Sequence, residues 1–460
     1  MKNKVLLFLC FSFLLSCKKS GNNDADPIHP QDTEVYSGGK TTVFDASSKA
    51  FGQPATNLAG ADLDLHKVGD ANFGQKFVTA PANQFQGLGP LYNSTSCGSC
   101  HVSDGRGRPP FPGEAFNLML FRLSVVGMDA HGAPLEVPGY GGQLQTKAAY
   151  GLRAEAQPSL IYEEIPGSYP DGSTYSLRVP HYSFSDYYTG TIASFLFSPR
   201  VGPPVFGLGL LEAIEEQTLL ALADEYDLNG DGISGRPNYV WDAQMAQTRI
   251  GRFGWKANQP SLYQQTSAAY NGDMGITSPL FPTENCLNQS NCISADSNAL
   301  EVSDEILKSV VFYTQTLAVP SRRNTNNPDV IEGKVLFADL GCASCHVMKM
   351  KTGILSGVPQ VSNQDILPFT DLLLHDMGLN LADNRPDFRA TGTEWRTPPL
   401  WGIGLTQLVS GFTFYLHDGR ARSLEEAILW HGGEGEKAKQ NFMQLNQKDR
   451  SRLVQFLQSL

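Results

Sequence analysis

Positive charge is scarce in this 460-residue chain. Its 35 Lys and Arg against 46 Asp and Glu leave a net charge of −11. With an isoelectric point near 5.3, that balance argues against nucleic acid as a partner and for a small redox protein or a small molecule. Membrane-spanning length is missing too: the apolar run Val5 to Leu15 stops short of the roughly 20 residues that a spanning helix needs. Two further absences concern the Cys-x-x-Cys pairs. They have neither the thioredoxin-like pattern that a redox dithiol keeps beside it nor the second ligand pair that a zinc site requires.

What each pair does have is a histidine directly after it. Cys97-Gly98-Ser99-Cys100-His101 and Cys342-Ala343-Ser344-Cys345-His346 each offer, from one short turn, two thioether attachments and the proximal iron ligand of a c-type haem. With 8 Cys and 9 His in the chain, random placement would yield such a pentapeptide roughly 0.003 times, so two copies carry a signal. The expectation is two covalently bound haems c, with His101 and His346 on the irons.

Lys2 and Lys4 ahead of the apolar run make residues 1–17 read as a signal peptide. Its ending, Leu14-Leu15-Ser16-Cys17, resembles a bacterial lipoprotein cleavage site with Cys17 as the lipidated residue; a plain secretory signal is the alternative. Either way the protein is expected to be exported, and in the first case held by lipid on a bacterial membrane, facing the periplasm or the cell exterior. Export leaves Cys286 and Cys292, with five residues between them, free to close a small surface loop as a disulfide. A catalytic dithiol is disfavoured because nothing nearby would depress a thiol pKa.

Composition then divides the chain. Residues 18–40 are polar and aperiodic, a tether. Residues 41–320 form a first haem domain, with 105–200, rich in Gly, Pro, Tyr and Ser, as an insertion of loops and strands. Residues 321–460 form a C-terminal haem domain. Helical periodicity runs through Leu208 to Asp224, Ser261 to Tyr270 and Ser303 to Leu317. It returns in a helix presenting Ile331, Val335 and Leu336, and in a final stripe of Leu453, Phe456, Leu457 and Leu460. The expected fold is mainly α, with two cytochrome c-like domains.

Several blocks resemble a known family. Arg396-Thr397-Pro398-Pro399-Leu400-Trp401, Leu416-His417-Asp418-Gly419-Arg420 and Ser423-Leu424-Glu425-Glu426-Ala427-Ile428 are similar to the R-T-P-x-L, H-D-G and T-L-E-E-A run of bacterial di-haem cytochrome c peroxidases. The likeness is closest to their branch of di-haem or thiol oxidoreductases. Gly251-Arg252-Phe253-Gly254-Trp255-Lys256-Ala257, Ser261-Leu262-Tyr263-Gln264-Gln265 and Asp273-Met274-Gly275 resemble their F-W-D-G-R-A, S-L-E-E-Q and E-M-G progression. The resemblance implies Trp255 as an electron relay between haems and Asp273 as a distal acid assisting O–O cleavage at the first haem, although Asp is one methylene shorter than the family's Glu. It also implies that the sixth ligand of the second haem, usually methionine, is here His431, which should lower that haem's potential because Met raises it. Met348 and Met350 lie too near their own Cys-x-x-Cys-His to compete. For the distal side of the first haem the insertion offers His131, His181, Tyr140 and Gln143.

One motif stands apart from haem. Asp227, Asn229 and Asp231 followed by Gly232 and Ile233 follow the 1, 3, 5, 6, 7 spacing of a calcium loop, with Ile233 contributing its carbonyl, while position 12 is Asn238 instead of a bidentate Glu. Two functions are open at this level. The chain is either a peroxidase-like oxidoreductase that passes electrons from the second haem to the first and on to a small-molecule oxidant, or a non-catalytic di-haem electron carrier.

Overall fold

Alternation, more than helical periodicity, organises the middle of the chain. In the computed structural model, which describes residues 33–460 apart from 191, 193, 287–288, 291 and 293–299, Gln157–Ser168 and Thr174–Ser185 pair antiparallel from Gln157 opposite Ser185 to Ser168 opposite Thr174. Pro158, Pro166 and Pro180 are tolerated there because each strand of this two-stranded hairpin has a free edge. A second pair, Met119–Ser124 with Leu196–Val201, sits deeper and is joined on its other side by a bridge from Arg122 to Gln143. The stretch read as a signal peptide, Cys17 and most of the stretch read as a tether lie outside the described residues.

The expectation of a mainly α fold is corrected: 30% of the chain is helical and 18% is strand, in many small sheets. The strands come from cross-strand pairing between segments far apart in sequence, such as Leu374–Asp376 with Glu394–Arg396. Helical periodicity cannot register such pairing.

Helices with a capping residue begin where it stands. Ser261 accepts from the Gln264 N–H at the start of Leu262–Met274, and Ser303 from the Ile306 N–H at the start of Asp304–Thr316; such caps are each worth about 1 kcal/mol. Gly275 ends the first of these helices with a φ of 63°, a conformation that glycine adopts without steric cost. The periodic stretch from 208 to 224 is two helices, Leu208–Glu212 and Glu216–Leu222. In Pro328–Asp339 the inward face is Val330, Gly333 and Phe337, while Ile331 and Val335 are largely exposed. Gly333 sets that rotation, since a Cβ there would lie 2.1 Å from the Arg452 carbonyl of the C-terminal helix Gln447–Ser459.

The inserted hairpin clasps the C-terminal part of the chain. Tyr169 donates to Glu425 at 2.6 Å, Arg450 pairs with Asp171 at 2.8 Å, and Arg178 donates to the Gly419 and Arg420 carbonyls. One hydrophobic cluster accordingly joins Phe121, Leu123 and Val201 to Phe442, Leu453 and Phe456. This closure brings the two Cys-x-x-Cys-His motifs, 245 positions apart in sequence, onto the wall of one cavity.

Candidate haem sites

The first motif folds as a single helical turn, Cys97–Cys100, capped by Ser96, which accepts from the Ser99 N–H. His101 follows with Nδ1 2.8 Å from the Pro203 carbonyl; that bond makes Nδ1 the protonated nitrogen and leaves Nε2 free for a metal. Gly202 is required beside it, since a Cβ would lie 2.9 Å from His101 Cε1. The second motif repeats the arrangement. Gly341, at φ 92°, turns the chain into Cys342–Ser344, and His346 Nδ1 sits 2.9 Å from the Phe369 carbonyl.

Both motifs line one cavity of about 930 Å³. Cys97, Cys100, Cys342 and Cys345 are in no disulfide. Burial pushes the thiols of Cys97 and Cys342 up to about 12 and that of Cys100 to about 11, which is contrary to a reactive dithiol or a thiolate metal centre. Burial also lowers His101 and brings His346 to about 4, so both imidazoles are neutral and able to ligate. Paired thiols, free Nε2 atoms and a large, mostly apolar wall fit haem at each motif.

His431 also lines this cavity. It follows the helix Leu424–Leu429, its Nδ1 is 2.8 Å from the Ala427 carbonyl, and burial lowers its pKa. His346 lines the same cavity. Met377 borders the same turn: a Cβ on Gly435 would meet His431 Cβ at 3.1 Å and Met377 Cε at 3.3 Å. Sequence reasoning weighed Met348 and Met350 but missed Met377.

Beside Cys345 lies a second group that the sequence did not announce. His375 is buried between Asp371 (Nε2 to Oδ2, 2.8 Å) and Glu434 (Nδ1 to Oε2, 2.6 Å). Burial opposes its charge, yet bonds to Asp371, Cys345 and Glu434 hold its pKa well above the ordinary value, making it an imidazolium. Cys345, Asp371 and His375 have ligand atoms within 4.8 Å of one another, but Cys345 already belongs to a haem motif. Glu434 also accepts from the Ser234 N–H and hydroxyl, so this group ties down the turn that carries His431.

On the cavity wall, Trp255 is 7% exposed and donates from Nε1 to the Val201 carbonyl at 2.8 Å. Arg106 lies 5.7 Å from the centroids of both Trp255 and Tyr415. Trp395 stacks on His417 with centroids 3.7 Å apart, and Lys256 Nζ is 4.5 Å from the Trp395 ring. Trp255, Trp395 and His417 all line the shared cavity.

On the first site's wall, Asp273 accepts from Gln143 Nε2 at 2.9 Å. Burial raises its pKa above the usual carboxylate range, against the pull of Arg122, Gln143 and His101. The other distal candidates lie elsewhere. His131 stacks on Trp241, His181 pairs with Glu163 on the exposed hairpin, and Tyr140 bonds to Thr189.

The Asp227 loop satisfies itself. Asp227, Asn229 and Asp231 accept from the N–H groups of Gly232, Asp231 and Ile233. Asn238 turns into the core and donates to the Lys256 and Asp387 carbonyls. Cys286 and Cys292 are disulfide-bonded, and Gln289 between them donates to Glu155.

Comparison with known proteins agrees with the two motifs. A family model described as "Di-haem oxidoreductase, putative peroxidase" matches residues 32–460. No curated protein matches the chain. Because the match runs across both histidine-terminated motifs and every wall of the cavity they share, the chain belongs to the di-haem oxidoreductase family.

Proposed function

We propose that this di-haem oxidoreductase reduces a peroxide at the first haem, with electrons entering through the second. The observation that carries this reading is Asp273: a buried carboxyl on the wall of the first site, oriented by Gln143 and biased by burial toward holding a proton. Cys97, Cys100 and His101 would hold a haem that supplies redox chemistry for peroxide reduction, and Cys342, Cys345 and His346 would hold one that stores electrons. Asp273 gives its proton to the outer peroxide oxygen as the O–O bond breaks and recovers one from the inner oxygen. Two electrons and two protons convert one hydrogen peroxide into two waters, the electrons coming from a small redox protein.

Trp255 lies on the wall that both sites share, so it is placed to shorten the electron path. Its Nε1 bond to the Val201 carbonyl fixes the ring, and the nearby Arg106 cation disfavours a lasting positive charge on it. His346 and His431 would both ligate the second haem in this reading, which would keep peroxide away from the electron-entry site. Calcium at Asp227, Asn229, Asp231 and the Ile233 carbonyl forms a lesser part of the proposal, since Asn238 is turned away.

The ferric protein is expected to show a high-spin component from the first haem and to consume hydrogen peroxide with an added reductant. Asp273→Asn should slow that reaction by about 10²-fold, within the range for loss of a general acid or base. Two low-spin haems that fail to react with peroxide would leave an electron carrier instead.

We further propose that the protein is exported and anchored by lipid on Cys17, a reading supported by Leu14-Leu15-Ser16-Cys17 at the end of a short apolar run. Cys17→Ala is expected to release most of the protein from the membrane fraction or to stall its processing. An unmodified mature N-terminus at another residue, found by mass spectrometry, would refute the lipid anchor.

A further inference from the structure

The wall of the first site carries Arg122, a cation whose charge interacts with Asp273 and Asp387. Arg122 stands in the strand Met119–Ser124, opposite Ser198 on one side and bridged antiparallel to Gln143 on the other. Residues directly opposite across such a bridge carry their side chains on the same face. Arg122 therefore flanks Gln143, whose Nε2 holds Asp273. Arg122 lines the cavity together with Leu120, Cys97, His101 and Asp273, and its charge opposes the rise in the Asp273 pKa.

The neighbouring carboxylates are already engaged. Arg200 and Arg385 share Asp387 at 3.0 and 3.3 Å, and Lys256 pairs with Asp383 at 2.8 Å. Among the described residues, the Arg122 side chain makes no hydrogen bond and no ion pair within 4 Å. A guanidinium on a cavity wall with donors not taken up by the described residues is available to a group that enters the cavity. Gln143 Oε1 beside it is buried without a partner.

We propose that Arg122 is a ligand-facing cation of the first haem site, donating N–H to the anionic atom of a small molecule held beside Asp273. The inference rests on the peroxide reading and deepens it. As the O–O bond breaks, its electron pair goes to the outer oxygen, which leaves as water after receiving the proton from Asp273. Arg122 stabilises the negative charge that builds on that oxygen before the proton arrives. The long arginine side chain also compensates for the shorter reach of Asp273 compared with a glutamate. A second chemistry, pairing of Arg122 with a carboxylate on the haem edge, predicts a different outcome of the same experiment.

The test is fluoride titration of the full-length ferric protein carrying both haems, followed at the high-spin band of the first. Arg122→Gln should weaken fluoride binding by about tenfold or more, as expected for loss of a hydrogen bond from a charged donor, and Arg122→Lys should restore part of the affinity. The peroxide reaction should fall by a similar factor, while haem content and the low-spin spectrum of the second haem report on folding. If Arg122→Gln fails to retain haem, Arg122→Lys carries the comparison and should still bind fluoride several-fold more weakly than the wild type. Unchanged fluoride affinity overturns the proposal, including the case in which only the first haem's potential moves, the signature of a haem-edge carboxylate. A wild type that binds no fluoride and ignores peroxide defeats the open-site reading and this inference with it. A wild type that binds and reacts, with variants that match it, defeats this inference alone.

Discussion

Purified from a host that performs c-type maturation, the wild-type chain is expected to carry two haems and the Cys342→Ala/Cys345→Ala variant one. The pyridine-haemochrome assay against protein concentration measures the difference directly. Each motif places both thiols on one turn and aims its histidine with a carbonyl, Pro203 for His101 and Phe369 for His346. The first site should keep its haem because its thiols, its histidine and Asp273 come from other segments. The variant should also melt at a lower temperature, since Phe337, Leu340, Leu424, Leu453 and Leu457 border the cavity and would lose the group that fills it. One haem per wild-type chain would defeat the assignment of both sites.

His431→Gly is expected to convert the second haem from a low-spin, six-coordinate centre to one open to water. His431→Met should keep it six-coordinate and raise its potential by on the order of 100 mV, a modest part of the span that axial ligation commands. The geometric basis is that His431 Nδ1 is occupied by the Ala427 carbonyl and that His431 lines the same cavity as His346. The turn is held from behind, because Glu434 is bonded to His375 and to Ser234. An imidazole on both faces would suit a centre that passes electrons with little change in its shell. Low-temperature EPR and a spectroelectrochemical titration of the second haem read both effects. The competitor is Met377, which borders the same turn. If His431→Gly leaves the low-spin signal and the potential unaltered while Met377→Ala abolishes them, the ligand is the thioether.

Some of this was readable from the chain alone, for a physical reason. Haem attachment needs two thiols and an imidazole within one turn, so the whole chemical unit is contiguous in sequence. Helix starts are equally local: Ser261, Ser303 and Ser423 each bond an N–H three residues on, and each could be placed by residue type. Trp255, Asp273 and His431 were nominated by resemblance, because the family's blocks carry its functional residues at fixed offsets.

Tertiary structure decided everything that depends on contacts between distant segments. The helix Pro328–Asp339 turns Val330 and Phe337 inward because Gly333 lets it touch the C-terminal helix at Arg452, a constraint written more than a hundred residues away. The inserted hairpin grips Glu425, Arg420 and Arg450, which strand alternation could not announce. His375 becomes an imidazolium only when Asp371 and Glu434 meet around it. Arg122 reads in sequence as one charge in an apolar strand. It becomes a candidate for ligand contact only because folding pairs it with Gln143, brings Asp273 to the same wall and commits the surrounding carboxylates to other cations. Local bonding rules are carried by neighbouring residues, whereas burial, pairing and charge compensation are properties of the whole packed chain.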